Sequence, residues 1–186
     1  LNTDRGYQFL VSQNLNDVTP VEANKEFTTE DFSAFETIVI SSTVTNSDAI
    51  ASLGEVRPFV PMLNLNPDIY EKWGYGKMVN SGINFATVLN PAHALFKELN
   101  LVEDPNSDEK SYVLPLCSYL SFKGLQLSGI FADDPVLAVA YQNKEIVAIH
   151  THNLTHNGYI YLPYTQDLLA DAVTPGIINN AISILC

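Results

Sequence analysis

Apolar runs and helical patterns alternate through the first half of the chain. Residues 36–42 (ETIVISS) form a continuous β-branched run, which is typical of a strand buried on both faces. The polar segment STVTNSD ends this strand and caps a helix that continues to Gly54. Residues 57–63 (RPFVPML) predict a second strand, and another helix is predicted from Pro67 onward. Strands that alternate with helices in this way indicate an α/β fold.

The last third of the chain has a different pattern, in which short strand signals follow one another closely. Each is bounded by turn residues, and they cover residues 112–116, 124–131, 136–141, 145–150 and 159–163. Gln142-Asn143-Lys144 is predicted to be the tip of an antiparallel hairpin. Residues 166–173 and 176–185 are predicted to be the closing helices.

Together these patterns predict a single domain over residues 1–186. We expect a three-layer α/β/α sandwich of the flavodoxin-like kind, with a mixed, mostly parallel sheet and a late antiparallel hairpin. Roughly the first 30 residues lack sustained periodicity, so we expect them to be irregular or to form a truncated first unit.

The charge balance excludes two classes of partner. The 186 residues include 21 acidic and 9 basic side chains, which gives a formal net charge of −12. Binding to nucleic acid needs clustered Lys and Arg, and docking on anionic lipid needs them too. No apolar run approaches the ~20 residues of a membrane span, so membrane insertion is not expected either.

The uncharged polar composition favours an exported protein. Asn, Ser and Thr crowd the loops, and Lys is scarce. We expect a periplasmic or extracellular location, with a cytoplasmic one as the alternative. Leu1 stands where an initiating Met would be, as expected after removal of an export signal or in a fragment. Cys117 and Cys186 either form a disulfide or remain two thiols, and the thiols are favoured because Cys186 is the last residue.

Three histidines lie within seven residues, at positions 150, 152 and 156. His150 and His152 would project to the same face of a strand, and His156 could return from the following turn to complete a zinc-type site. A carboxylate partner would have to come from Asp133, Asp134 or Asp167. The alternative is a polar strand end whose histidines bind backbone and water.

Aromatic residues and motifs add little further chemistry. Trp73, with Tyr70 and Tyr75, is interpreted as core packing, with a sugar-stacking platform as the alternative. No glycine-rich nucleotide motif is present, so no cofactor is expected.

The chain resembles the class I glutamine amidotransferase-like fold, and within it the ThuA-like branch, in four stretches. They are residues 35–50 (FETIVISSTVTNSDAI), 56–75 (VRPFVPMLNLNPDIYEKWGY), 90–99 (NPAHALFKEL) and 136–164 (VLAVAYQNKEIVAIHTHNLTHNGYIYLPY). The resemblance covers residues 32–186. The first strand and helix that the family would place before it have no clear counterpart ahead of Asp17.

The resemblance implies a Cys–His–Glu triad, which this sequence does not supply. The nucleophile would lie on the turn after the second strand, where residues 61–66 (PMLNLN) contain neither Cys nor Ser. His150 falls at the position of the base, and His152 replaces the orienting carboxylate. The sequence therefore argues against glutamine hydrolysis and favours a noncatalytic domain.

A ligand is expected in the crevice at the carboxyl ends of the strands. The residues predicted to line it are Ser41, Ser42, Thr43, Asn64, Asn66, His150 and His152. Hydroxyls, amides and imidazoles suit a neutral polar ligand such as a carbohydrate, since the set lacks the Arg or Lys that grips an anion. The leading hypothesis is thus a binding or interaction domain. The alternatives are a metal-dependent hydrolase that uses His150, His152 and His156, and a structural domain with a vestigial cleft.

Overall fold

The parallel centre of the sheet is built from the segments that the sequence marks most clearly. A computed structural model describes residues 4–13, 17–74, 76–81, 85–107, 111–115, 122–127, 136–142, 145–151, 158–162 and 174–186. The α-helices among these residues are α1 (Arg5–Ser12), α2 (Ser47–Val56), α3 (Ile69–Lys72) and α4 (Thr174–Leu185). The strands are β1 (Ile38–Ile40), β2 (Met62–Asn64), β3 (Gly76–Ser81), β4 (Phe85–Val88), β5 (Val102–Glu103), β6 (Tyr112–Pro115), β7 (Phe122–Leu127), β8 (Val136–Gln142), β9 (Glu145–Thr151) and β10 (Tyr159–Tyr161). Short 3₁₀ turns cover Thr29–Phe32 and Ala94–Phe96.

The strands join in one sheet in the order β1-β2-β10-β9-β8-β4-β6-β5, and β7 links β3 to β9. β1 and β10 flank β2 in parallel, with Ile38 and Tyr159 both opposite Met62. Every other pairing between described strands is antiparallel. The predicted predominance of parallel pairs therefore holds only for β1, β2 and β10. Parallel pairing needs a crossover of a dozen or more residues, and the segments between β5 and β6, between β8 and β9 and between β9 and β10 are shorter than that.

Strands β8 and β9 adjoin the predicted hairpin tip. They pair antiparallel, with Gln142 opposite Glu145 and a register shift between Ala140 and Tyr141. Residues 143–144 lie outside the described residues.

Two buried clusters lie on opposite sides of the parallel strands, because successive side chains of a strand point to opposite faces. Leu63 and Ile160 belong to the cluster that α4 covers with Ile177 and Ala181. The other cluster takes Met62, Tyr159 and Tyr161 and packs against α2 and Ile69 of α3. Helices thus cover both faces where the strands are parallel.

The beginning of the chain forms one short helix. Helix α1 begins at Arg5 because the Asp4 side chain accepts a hydrogen bond from the Tyr7 N–H (3.0 Å), which caps the first turn. This short helix is compatible with the expected truncated first unit, which stays a prediction. Within the described part of the chain, no helix is long and apolar enough to cross a membrane.

Candidate functional site

A carboxylate and two hydroxyls form a polar cluster where β1 ends. The Oδ2 atom of Asp4 accepts hydrogen bonds from Ser41 Oγ (2.6 Å) and Thr43 Oγ1 (2.5 Å). The two hydroxyl oxygens lie 3.0 Å apart, and the Thr43 N–H donates to Ser41 Oγ at 3.3 Å. We call Asp4, Ser41 and Thr43 the hydroxyl–carboxylate cluster.

Local structure fixes each member of this cluster. The Asp4 side chain is held in place because it caps the start of α1, and Ser41 is the residue that follows β1. A tight turn, in which the Val44 N–H donates to the Ser41 carbonyl (3.2 Å), returns Thr43 to the same carboxylate. Partial burial alone would raise the pKa of Asp4. Hydrogen bonds from Ser41, Thr43 and the backbone N–H groups of Tyr7 and Gly6 outweigh this effect and lower the pKa below 3.8.

The cluster lies in a cleft of about 1030 Å³. Residues 17–24 line it, as do residues 36–41, which include β1. Tyr7, Phe35 and Ile182 add apolar surface to the walls. Lys, Arg and His are absent from the described residues that line this cleft, whereas four acidic side chains line it: Asp4, Asp17, Glu22 and Glu36.

Asn64 and Asn66 lie inside the protein rather than in this cleft. Their exposed fractions are 0% and 2%. The Asn64 Nδ2 donates to the Tyr159 hydroxyl at 3.1 Å, and its Oδ1 accepts from the Asn66 N–H at 2.8 Å. The Asn66 Nδ2 donates to the Val44 carbonyl (2.7 Å), and its Oδ1 accepts from the Asp68 N–H (3.0 Å). These contacts tie the turn after β2 to the turn after β1.

The other predicted lining residues divide into two groups. Ser41 and Thr43 line the cleft, whereas Ser42 is half-buried in the turn between them and is not part of the lining. His150 lies in β9 opposite Ile160, and its side chain is outside the description. His152 and His156 fall outside the described residues, as do Asp133, Asp134 and Asp167.

The described residues contain no group of three or more His, Cys, Asp or Glu side chains that could hold a metal ion. The histidine cluster is not covered by that search, so the metal hypothesis stays a prediction. Cys186 is an exposed free thiol that lines the cleft, and Cys117 lies outside the described residues.

Trp73 is a packing residue. Its indole Nε1 donates to the Ile50 carbonyl at 2.8 Å, and its ring centroid lies 6.1 Å from that of Tyr159. The indole is partly buried against the cluster beneath α2. The structure therefore supports the core interpretation of Trp73, while residue 75 lies outside the described part.

Asp4 is the member of the site that the sequence pattern did not reveal. An Asp ahead of a short amphipathic segment is a recognised N-cap signal, and RGYQFLVS provides such a segment here. That signal would have placed the helix start. It would not have placed the carboxylate beside Ser41, because 37 residues separate the two positions.

Comparison with known proteins identifies the fold. A protein from Bacteroides uniformis described as ThuA-like aligns with 97% of this chain and 82% of its own, with a TM-score of 0.58 and 15% identity. A protein from Thermoplasma acidophilum described as part of a GMP synthase aligns with 98% of this chain and 87% of its own, with a TM-score of 0.60 and 13% identity. The chain has the class I glutamine amidotransferase-like fold. The resemblance predicted from the sequence is thereby confirmed at the level of the fold. No family model and no curated protein matches the sequence.

Proposed function

We propose that this protein is a noncatalytic binding domain of the amidotransferase-like fold, with a carbohydrate-related ligand at the hydroxyl–carboxylate cluster. The observation that carries the proposal is the position of Asp4, Ser41 and Thr43 inside a large cleft whose described lining has no cationic side chain. A cleft of about 1030 Å³ is as large as the upper end of ordinary ligand sites, which span roughly 300–1,000 Å³.

The hydrogen-bonding state of the cluster favours a ligand rich in hydroxyl groups. Ser41 and Thr43 donate their hydroxyl hydrogens to Asp4, so lone pairs of both oxygens are left to accept from a ligand. The Asp4 carboxylate already accepts hydrogen bonds from both hydroxyls and from two backbone N–H groups, so its role is to fix the orientation of the two hydroxyls toward a ligand. The rings of Tyr7 and Phe35 supply the apolar surface on which the CH face of a sugar packs. An anionic ligand would meet four acidic side chains and no described counter-charge.

The noncatalytic part of the proposal rests on the turn after β2. In the catalytic proteins that the sequence resembles, this turn carries the nucleophile. Here it carries Asn64, Leu65 and Asn66, and all three are buried. Their amides are engaged with the protein itself, which favours a structural role for the turn.

A thermal-shift screen with neutral mono- and oligosaccharides tests the proposal. A ligand at free concentration L that binds only the native state stabilises it by RT ln(1 + L/Kd), so the melting temperature rises with the ligand concentration. We expect a sugar to raise the melting temperature of the native protein and of Glu103→Gln, a control on the exposed strand β5. The double variant Ser41→Ala/Thr43→Ala should lose the shift. If no sugar shifts any of the three proteins, the carbohydrate proposal is wrong and the vestigial-cleft hypothesis gains.

A further inference from the structure

One edge of the sheet is open along the cleft. Strand β1 pairs with β2 on one side, and no other described strand pairs with it. The Ile38 N–H donates to the Pro61 carbonyl (3.0 Å), and the Ile40 carbonyl accepts from the Leu65 N–H (3.0 Å). The backbone groups of successive residues in a strand point to opposite sides. The N–H and C=O groups of Val39 therefore face away from β2.

The cleft follows this edge rather than a face of the sheet. Residues 36–41 line it without interruption. Because successive side chains point to opposite faces, a cavity lined by every residue of a strand must run beside the strand. The Thr37 Oγ1 atom, which is buried beside the same edge, has no hydrogen-bond partner among the described residues.

The charges that the described lining residues place around this edge have one sign. Asp17 and Glu22 line the same cleft as β1, and Glu36 lies just ahead of the strand; all three are exposed. Asp4 lies at the other end of β1, and its lowered pKa keeps it ionised at neutral pH. Natural edge strands are commonly protected by Lys or Pro, and β1 itself contains neither.

We propose that the cleft binds an extended peptide with basic side chains, which adds as a strand to the free edge of β1. The Val39 N–H and C=O supply the main-chain hydrogen bonds, and the carboxylates that line the cleft select lysine or arginine at alternate positions. The carbohydrate site lies in the same cleft and shares Asp4, but the main-chain hydrogen bonds of the peptide come from Val39 rather than from Ser41 and Thr43.

A pair of synthetic peptides tests the charge requirement. Each has about seven residues, which span ~23 Å when extended; lysine alternates with threonine in one, and glutamate replaces lysine in the other. Titration calorimetry at low salt should show the lysine peptide binding at least about tenfold more tightly. This preference should shrink when the ionic strength is raised, because exposed charges are screened. The triple variant Asp17→Asn/Glu22→Gln/Glu36→Gln should lose most of the preference without losing the fold, since all three side chains are exposed.

A proline at position 39 tests the strand addition itself. Val39→Pro removes the N–H that faces the cleft and leaves the hydrogen bonds to β2 intact, since Val39 does not donate to β2. Val39→Ala is the matched control, because it loses a similar amount of packing and retains the N–H. We expect Val39→Pro to weaken peptide binding about tenfold relative to Val39→Ala.

Several results would overturn the proposal. One is equal binding of the lysine and glutamate peptides, and another is equal binding of the lysine peptide by folded Val39→Pro and Val39→Ala. If Val39→Pro does not fold, the triple variant decides: the proposal is refuted when that variant still prefers the lysine peptide as strongly as the native protein does. A dimer in sedimentation experiments that dissociates in Val39→Pro would assign the edge to a second copy. Sugar binding without peptide binding would refute the peptide proposal and leave the proposed function unaffected.

Discussion

The buried amide of Asn66 should stabilise the protein by about 3 kcal/mol. Its side chain makes two hydrogen bonds, to the Val44 carbonyl (2.7 Å) and from the Asp68 N–H (3.0 Å), and only 2% of the residue is exposed. Asn66→Ala leaves both backbone partners unpaired at a site that is largely closed to water. Leaving a buried donor or acceptor unpaired costs about 1–3 kcal/mol, so two such losses amount to roughly 2–6 kcal/mol. A value of ~3 kcal/mol is expected because both hydrogen bonds are only partly buried.

Urea denaturation measures this free energy directly. The midpoint for Asn66→Ala should fall with an unchanged m-value, since the fold is retained. Asn24→Ala is the control, because Asn24 is exposed and its side chain bonds to Glu22 at 3.3 Å; it should change stability by less than about 0.5 kcal/mol. If Asn66→Ala is as stable as Asn24→Ala, the amide is not structural. A ligand role for Asn66, as the sequence predicted, would then be restored.

Three further predictions concern a carboxylate, a histidine and a glycine. The pKa of Asp4 is lowered in the fold, so its contribution to stability is present above pH 3.8 and is lost as the pH falls through the folded pKa. Asp4→Ala should abolish this part of the acid transition, and an unchanged transition would contradict the prediction. Burial lowers the pKa of His93, whose Nδ1 accepts from the Leu95 N–H (3.1 Å), so the stability of the protein should fall as the pH drops below 6.5. This fall should be smaller in His93→Asn, and equal pH profiles of stability for the two proteins would refute the prediction. Gly54→Ala would place a methyl 2.8 Å from the Trp73 Nε1. We expect the free energy of unfolding in urea to fall by about 1–2 kcal/mol, despite the better helix propensity of Ala. An unchanged or raised midpoint would show that the indole moves aside.

The sequence predicted those parts of the fold that depend on local pattern. The β-branched run of residues 36–42 became β1, and the apolar residues 176–185 lie within α4. The second strand is shorter than predicted because Pro58 and Pro61 lack an N–H group, and the strand begins at Met62. The helix predicted after Pro67 is present but short, since α3 covers only Ile69–Lys72.

The candidate site depended on contacts that no local pattern encodes. Placing Asn64 and Asn66 at the end of a strand was correct, but β2 lies between β1 and β10, which buries both amides. Asp4 reaches Ser41 only because α1 packs near the end of β1. The hydroxyls of Ser41 and Thr43 could be recognised from the sequence, while their carboxylate partner could not.

The position of β10 has a consequence for synthesis on the ribosome. Strand β2 receives its second parallel neighbour from residues 159–161, and both clusters of buried side chains include residues of that strand. Until these residues have left the exit tunnel, one side of β2 has no partner, and the apolar faces of α2 and α3 lack Tyr159 and Tyr161. Nascent chains with such long-range pairings stay exposed for longer and rely more on chaperones. We therefore expect the emerging polypeptide to fold late and cooperatively rather than segment by segment.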